Sequence, residues 1–303
     1  MSDLLWGLDL GGTKIEGIVI RPDGEVLSRQ RRPTEREKGY EHIIGQIKAL
    51  VNQISQVVGV MPQKIGIGTP GAIDPPTGLM KNSNTTVLNG RPFLADVERA
   101  LGVPVQMAND ANCFAVAEAL LGAGKPYTQG RDHLIFGVIM GTGVGGGIVI
   151  NGRVWNGAQG IGGEWGHSYL DDSGGECYCG NTGCVELLLS GTGLERFYHN
   201  KTGTKRSLAS ILDAYHASSK EPFVPETVER MLYFFGKGMA NIVNILDPTA
   251  IILGGGLSNI DLLYTEGVAR IRQFVFNPRL DTPILRPQLG DGAGVFGAAM
   301  LVK

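Results

Sequence analysis

The 303-residue sequence predicts an α/β fold built from two related halves that face a cleft. Three patterns point there: a β-β-β-α-β order near the N-terminus, a later meander with the same plan, and a glycine-rich turn between the first two strands of each.

The first meander has apolar strands at residues 4–10 and 15–20, separated by Gly11-Gly12-Thr13-Lys14. Pro22-Asp23-Gly24 then turns the chain into a third strand at 25–30. Over residues 40–58 the apolar positions Ile43, Ile44, Ile47, Leu50, Val51, Ile54 and Val58 recur at helical spacing, and 65–68 returns as a strand. A second strand-to-helix passage runs from 103–107 through Asn109-Asp110 into a helix over 111–121. The second meander starts at 133–140, turns through 141–147 and continues at 148–150. Between 156 and 193 periodicity gives way to Gly, Cys and polar residues, which predicts an irregular insertion. A helix over 227–246, a short strand at 250–253 ending in Gly254-Gly255-Gly256, and a terminal helix at 297–302 complete the reading.

Composition excludes several classes. No apolar run approaches the roughly 20 residues that span a bilayer, and the first residues lack a basic, cleavable leader, so a cytoplasmic protein is expected. A net charge of −2 without a block of Lys or Arg gives nucleic acid little to bind. Glycine supplies 46 residues, about twice the usual share, and its clustering in turns suggests phosphate loops.

Gly11-Gly12-Thr13-Lys14 follows the strand that carries Asp9. Its backbone N–H groups, a hydroxyl and an ammonium can cradle phosphate oxygens, and Asp9 can hold the hydration shell of Mg²⁺. The competing reading is an ordinary hairpin with an exposed Lys. Gly141, Thr142 and Gly143 offer a second set of donors, and Gly254, Gly255 and Gly256 let an adenosine approach the backbone. None of the three matches a Walker pattern or opens a βαβ helix, so neither a P-loop nor a Rossmann enzyme is predicted.

Asp110 stands where a strand meets a helix, in reach of an attacking hydroxyl. On spacing alone it reads first as a helix N-cap. His167, Cys177, Cys179 and Cys184 place four zinc ligands within 18 residues, and three thiolates with one imidazole close a tetrahedral shell, as a structural zinc requires. The alternative is buried free thiols beside an unrelated His. Glu164 and Glu186 flank these ligands; on spacing they read as solvated groups.

The ordered motifs Asp9-Leu-Gly-Gly-Thr-Lys14, Gly68-Thr-Pro-Gly71, Asn109-Asp-Ala-Asn112, Gly141-Thr-Gly-Val-Gly-Gly-Gly147, Gly163-Glu-Trp-Gly-His167, the segment 177–186 and Gly254-Gly-Gly256 resemble the ROK kinases. The resemblance covers nearly the whole chain. It implies two actin-like, hexokinase-like (ribonuclease H-like) domains, a small one at 1–109 plus 289–303 and a large one at 110–288 with the zinc-bound insertion. It also implies ATP as donor with Mg²⁺ and structural Zn²⁺, Asp110 as general base, and sugar contacts from Gly71, Asn84, Asn109, Glu164, His167 and Glu186. A homodimer is expected. The segment 82–90 resembles mannose and fructose kinases, so an unmodified hexose of mannose, fructose or glucose type is the expected substrate. An N-acetylhexosamine is the alternative, polyphosphate an alternative donor, and a non-catalytic sugar-responsive regulator the alternative from another class. Repressors of this family carry a DNA reader ahead of the kinase-like body, whereas eight residues precede Asp9.

Overall fold

The opening meander forms as its alternation of apolar runs and turns predicts. In the computed structural model, which describes residues 4–130 and 132–303, β1 (Leu5–Leu10), β2 (Lys14–Ile20) and β3 (Val26–Pro33) pair antiparallel. β4 (Ile65–Thr69) joins β1 in parallel, a small ribbon of β5 (Ala72–Ile73) and β6 (Met80–Lys81) follows, and β7 (Val105–Asn109) runs parallel to β4. The sheet order is β3-β2-β1-β4-β7. β8 (Leu134–Met140), β9 (Val144–Ile150), β10 (Arg153–Val154), β11 (Ala250–Gly254) and β12 (Ile284–Leu285) form a second sheet in the order β10-β9-β8-β11-β12. Chain order is distributed across the two sheets identically, which is the duplication that the paired glycine turns predict.

Helix α1 (Tyr40–Val58) has the predicted limits. Its Ile43, Ile47, Leu50 and Ile54 are fully buried in one core with Leu8, Ile15 and Ile67 of the sheet. Each such side chain contributes about 1.5–3 kcal/mol over its exposed state. The remaining helices are α2 (Phe93–Leu101), α3 (Asp110–Leu120), α4 (Val185–Leu189), α5 (Gly191–Thr202), α6 (Leu208–His216), α7 (Val224–Leu246), α8 (Glu266–Phe274) and α9 (Ala293–Met300). The predicted irregular insertion therefore gives way to helix at α4, and the terminal helix begins four residues before residue 297. Among the described residues no helix is long and apolar enough to cross a membrane.

Two compact units emerge: Met1–Asp132 with Gly147–Gly163 and Gln288–Lys303, and His133–Gly146 with Glu164–Pro287. The sequence reading begins its large domain at residue 110, whereas α3 packs within the first unit, on α9. That packing depends on missing side chains. A Cβ on Gly297 would lie 1.8 Å from the Cys113 carbonyl oxygen, and one on Gly66 would lie 1.7 Å from that of Ala298. Glycine at both positions lets α9 lie directly on α3 and β4.

Candidate functional site

In the first unit the site grows from the junction of β7 and α3. Thr69 and Asn109 end their strands in parallel register, and the Thr69 hydroxyl donates to the Gly71 carbonyl at 2.8 Å. The residue that caps α3 is Asn109, whose Oδ1 accepts the Asn112 N–H at 2.8 Å; Asp110 is already helical. The cap reading of Asp110 is thereby corrected. With adjacent Asn and Asp both suited to capping, composition could not choose between them.

Asp110 touches solvent, yet desolvation pushes its carboxyl above the ordinary range, opposed by the backbone N–H of Ala111 at 2.8 Å. Asp9, near the end of β1, is pushed up to about 6, first by desolvation, then by the charges of Asp110 and Glu16, with Lys14 opposing. No ion pair reaches Asp9 among the described residues. A dehydrated, unpaired carboxylate at this place fits a hard cation such as Mg²⁺, which prefers oxygen ligands.

The turn after β1 is held by Thr34, which donates from its hydroxyl to the Gly11 carbonyl at 2.7 Å and from its N–H to the Thr13 carbonyl at 2.9 Å. Lys14 turns toward Glu16, 3.8 Å away. Glu16 also receives Arg29 at 2.5 Å and Arg31 at 2.9 Å. Desolvation would raise Glu16, but the hydrogen bonds from Arg31 and Arg29 prevail and hold it below the carboxylate range.

Gly71 makes room for the loop that carries Asn84: a Cβ there would lie 2.6 Å from the Lys81 carbonyl oxygen. Asn89 clamps that loop by accepting the Ser83 N–H and donating to the Ser83 carbonyl, both at 2.9 Å, and Asn84 is exposed on it. Gly71, Met107, Asn109 and Asn112 line a cavity of about 230 Å³ with Asn156. The buried Asn112 Oδ1 has no hydrogen-bond partner.

In the second unit a cavity of about 650 Å³ brings Gly141, Thr142 and Gly256 together. The Gly191 N–H donates to the Gly141 carbonyl at 2.8 Å, and the Thr192 hydroxyl to that of Thr142 at 2.5 Å. Glu195, Leu212, Asp213, His216 and Asn259 also line it, and the sequence reading missed all five. They lie on α5, α6 and the turn after β11, so no linear spacing marks them. Gly143, Gly254 and Gly255 are not among the cavity's lining residues. Gly143 instead faces Glu186, whose Oε2 accepts the Val144 N–H at 3.0 Å.

The predicted metal ligands do converge. The ligand atoms of His167, Cys177, Cys179 and Cys184 all lie within 4.8 Å of one another. His167 Nδ1 is 3.7 Å from Cys177 Sγ, and the sulfurs of Cys179 and Cys184 are 3.6 Å apart. A tetrahedral zinc with Zn–S near 2.3 Å sets its sulfurs about 3.8 Å apart, so the donor set and its span fit that ion. The other nitrogen of His167, a residue that the resemblance assigns to the sugar, is Nε2, which lies 3.0 Å from the Tyr178 hydroxyl. Glu164 precedes the short turn Trp165–His167.

The Asp9 environment has a measurable consequence. Its value of about 6 exceeds the 3.8 of an unperturbed aspartate, so the folded chain holds this proton more tightly than the unfolded one. The associated stability is complete below pH about 4 and is lost as pH rises through about 6. In metal-free buffer Asp9→Asn is expected to match wild type near pH 4 and to exceed it by roughly 1–3 kcal/mol near pH 7.5. Denaturant titrations at the two pH values check this, and a difference independent of pH would refute it.

A model of the ROK family matches residues 5–303. The N-acetyl-D-glucosamine kinase of Haemophilus influenzae is 36% identical over 98% of this chain and 99% of its own, and that of Vibrio cholerae is 35% identical over 98% and 99%. The ROK hexokinase of Thermus thermophilus superposes with a TM-score of 0.87 at 31% identity, covering 98% of this chain and 97% of that one. A ROK glucokinase from Streptomyces griseus, solved with glucose and AMPPNP, gives 0.74 at 30% identity over 98% of each chain. The chain belongs to the ROK family, and it is a sugar kinase of that family.

Proposed function

We propose that this protein is an ATP-dependent N-acetylhexosamine kinase, acting on N-acetylglucosamine, with Asp110 as its general base. The observation that carries the chemistry is the carboxylate of Asp110, left out of the helix cap by Asn109 and raised above the ordinary carboxylate range by desolvation. Such a group accepts a proton more readily than an ordinary aspartate at the same pH. In the proposed step the sugar hydroxyl oxygen bonds to the terminal phosphorus of ATP as the bond to the ADP oxygen breaks. The hydroxyl proton passes to Asp110, and ADP leaves.

Gly71, Asn84, Asn109, Glu164, His167 and Glu186 are proposed as the sugar-binding residues, as the family resemblance implies. The phosphates are assigned to the turn Gly11–Lys14, and the nucleoside to the cavity that contains Gly141, Thr142 and Gly256, with Gly143, Gly254 and Gly255 shaping its backbone. Mg²⁺ held through Asp9 would supply charge neutralisation for the phosphates.

The expectation of an unmodified hexose yields here to the alternative, because relatives named as N-acetyl-D-glucosamine kinases match end to end. The likeness to the Thermus hexokinase favours a second reading, an unmodified hexose. An ADP-release assay over N-acetylglucosamine, N-acetylmannosamine, glucose, mannose and fructose separates them. We expect kcat/KM for N-acetylglucosamine to exceed that for each plain hexose by at least about tenfold, the effect of about 1.4 kcal/mol of extra contact. A higher value for glucose or mannose would reverse the assignment.

Asp110→Asn is expected to lower kcat by at least about a hundredfold while sugar binding, followed by calorimetry, persists. Turnover near that of wild type would remove Asp110 from the chemistry. For the cluster of His167 and the three cysteines we infer a structural zinc. Elemental analysis should find about one zinc per chain, and chelation should lower the melting temperature by roughly 5 °C or more. Active protein free of metal would exclude it.

A further inference from the structure

The phosphate turn has neighbours that its own sequence does not reveal. Gly12 lacks a positive φ, so its backbone does not demand glycine. What its missing side chain leaves is space. A Cβ there would lie 3.2 Å from Arg36 Nη1 and 3.9 Å from Thr85 Oγ1.

Both groups are available. Thr85 is 2% exposed, and its hydroxyl has no hydrogen-bond partner, an unusual state for a buried polar atom. The Arg36 guanidinium makes no ion pair among the described residues. The adjacent carboxylate of Glu35 is engaged by Lys38, His42 and Gln46. Thr34, two residues before Arg36, is bonded to the turn through both its hydroxyl and its N–H, so the segment that carries Arg36 is fixed to the turn. Lys14, the cation that the motif itself supplies, is directed at Glu16 instead.

The guanidinium and the backbone N–H groups of the turn are donors and the Thr85 hydroxyl can donate; grouped beside Gly12, they suit an anion with several acceptor oxygens. Thr85 also follows Asn84, the proposed sugar contact, so this space lies where the sugar loop meets the phosphate turn. We propose that Arg36 and Thr85, with the turn at Gly12, hold the phosphoryl group in transfer: the terminal phosphate of the donor and, after reaction, the phosphate of the sugar product. This rests on the kinase reading given above.

The test uses the full chain with its sugar bound. Calorimetry measures AMPPNP and ADP for wild type, Arg36→Ala, Arg36→Lys and Thr85→Val, and inhibition by sugar phosphate made with the wild-type enzyme measures the product. Arg36→Ala should weaken AMPPNP and the sugar phosphate by roughly tenfold or more, the loss of a charge-assisted hydrogen bond, and change ADP by less than about twofold. Thr85→Val should weaken the same two ligands by roughly fivefold, and Arg36→Lys should recover part of the loss. Thermal melts of the exposed Arg36 variants should match wild type. Loss for AMPPNP alone would assign the group to the donor only and overturn the product half. Equal loss for AMPPNP and ADP, or no loss for either, would overturn the proposal while leaving the kinase reading intact. A wild-type chain that phosphorylates no sugar would overturn both.

Discussion

The hydrogen bond from the Asn112 N–H to Asn109 Oδ1, 2.8 Å long, is the constraint on which the first unit's site depends. It ends β7 and starts α3 at one residue, and so leaves Asp110 on the first helical turn but outside the cap. A carboxylate there gains about 0.3–1 kcal/mol from the positive end of a helix, which should lower its affinity for a proton. The net displacement is upward, so desolvation outweighs both that effect and the bond from Ala111. Capping by Asp110 would instead commit its carboxylate to an N–H further along the first turn, beyond the one it already accepts from Ala111.

Three carboxylates gather around this junction, and their contrast is informative. Glu16 is held below its ordinary range because Arg31 and Arg29 bond to it, although it is nearly inaccessible. Asp9 on the neighbouring strand is pushed up because burial and two like charges act on it and only Lys14 opposes them. The difference lies in the supply of cations. A chain shaped for stability alone would pair all three acids. Leaving two unpaired costs stability and preserves negative potential where the proposed reaction would use a cation and a proton acceptor.

Much of this was legible in the sequence because its signals are local. The apolar spacing over 40–58 marked α1 at both ends, and the glycine turns located both meanders. The convergence of His167 with three cysteines was legible because four strong donors lie within 18 residues and fold back through Gly180 and Gly183, both at positive φ. The rest was hidden by distance along the chain. The cavity in the second unit takes its walls from segments near 141, 191–216 and 256–261. Arg36 lies beside the turn at Gly12, and Thr34, two residues before it, bonds across to Gly11 and Thr13. The motif pointed to Lys14 as the cation of that turn, and a neighbouring acid on β2 redirected it.

The cluster of His167 with three cysteines and the second glycine turn are also mechanically joined. Cys184 precedes α4, whose second residue, Glu186, accepts the Val144 N–H at the end of the turn. A Cβ on Gly143 would lie 2.6 Å from that carboxylate, so glycine is what admits Glu186 to the turn. The segment between Glu164 and Cys184 buries few apolar side chains, chiefly Trp165 and Leu170, and has little hydrophobic stabilisation of its own. A metal ion held by His167 and the three thiols, as proposed, would supply the missing constraint. Loosening the cluster would free α4, release Glu186 from Val144 and disturb the turn that lines the cavity, although none of the four ligands is among that cavity's lining residues.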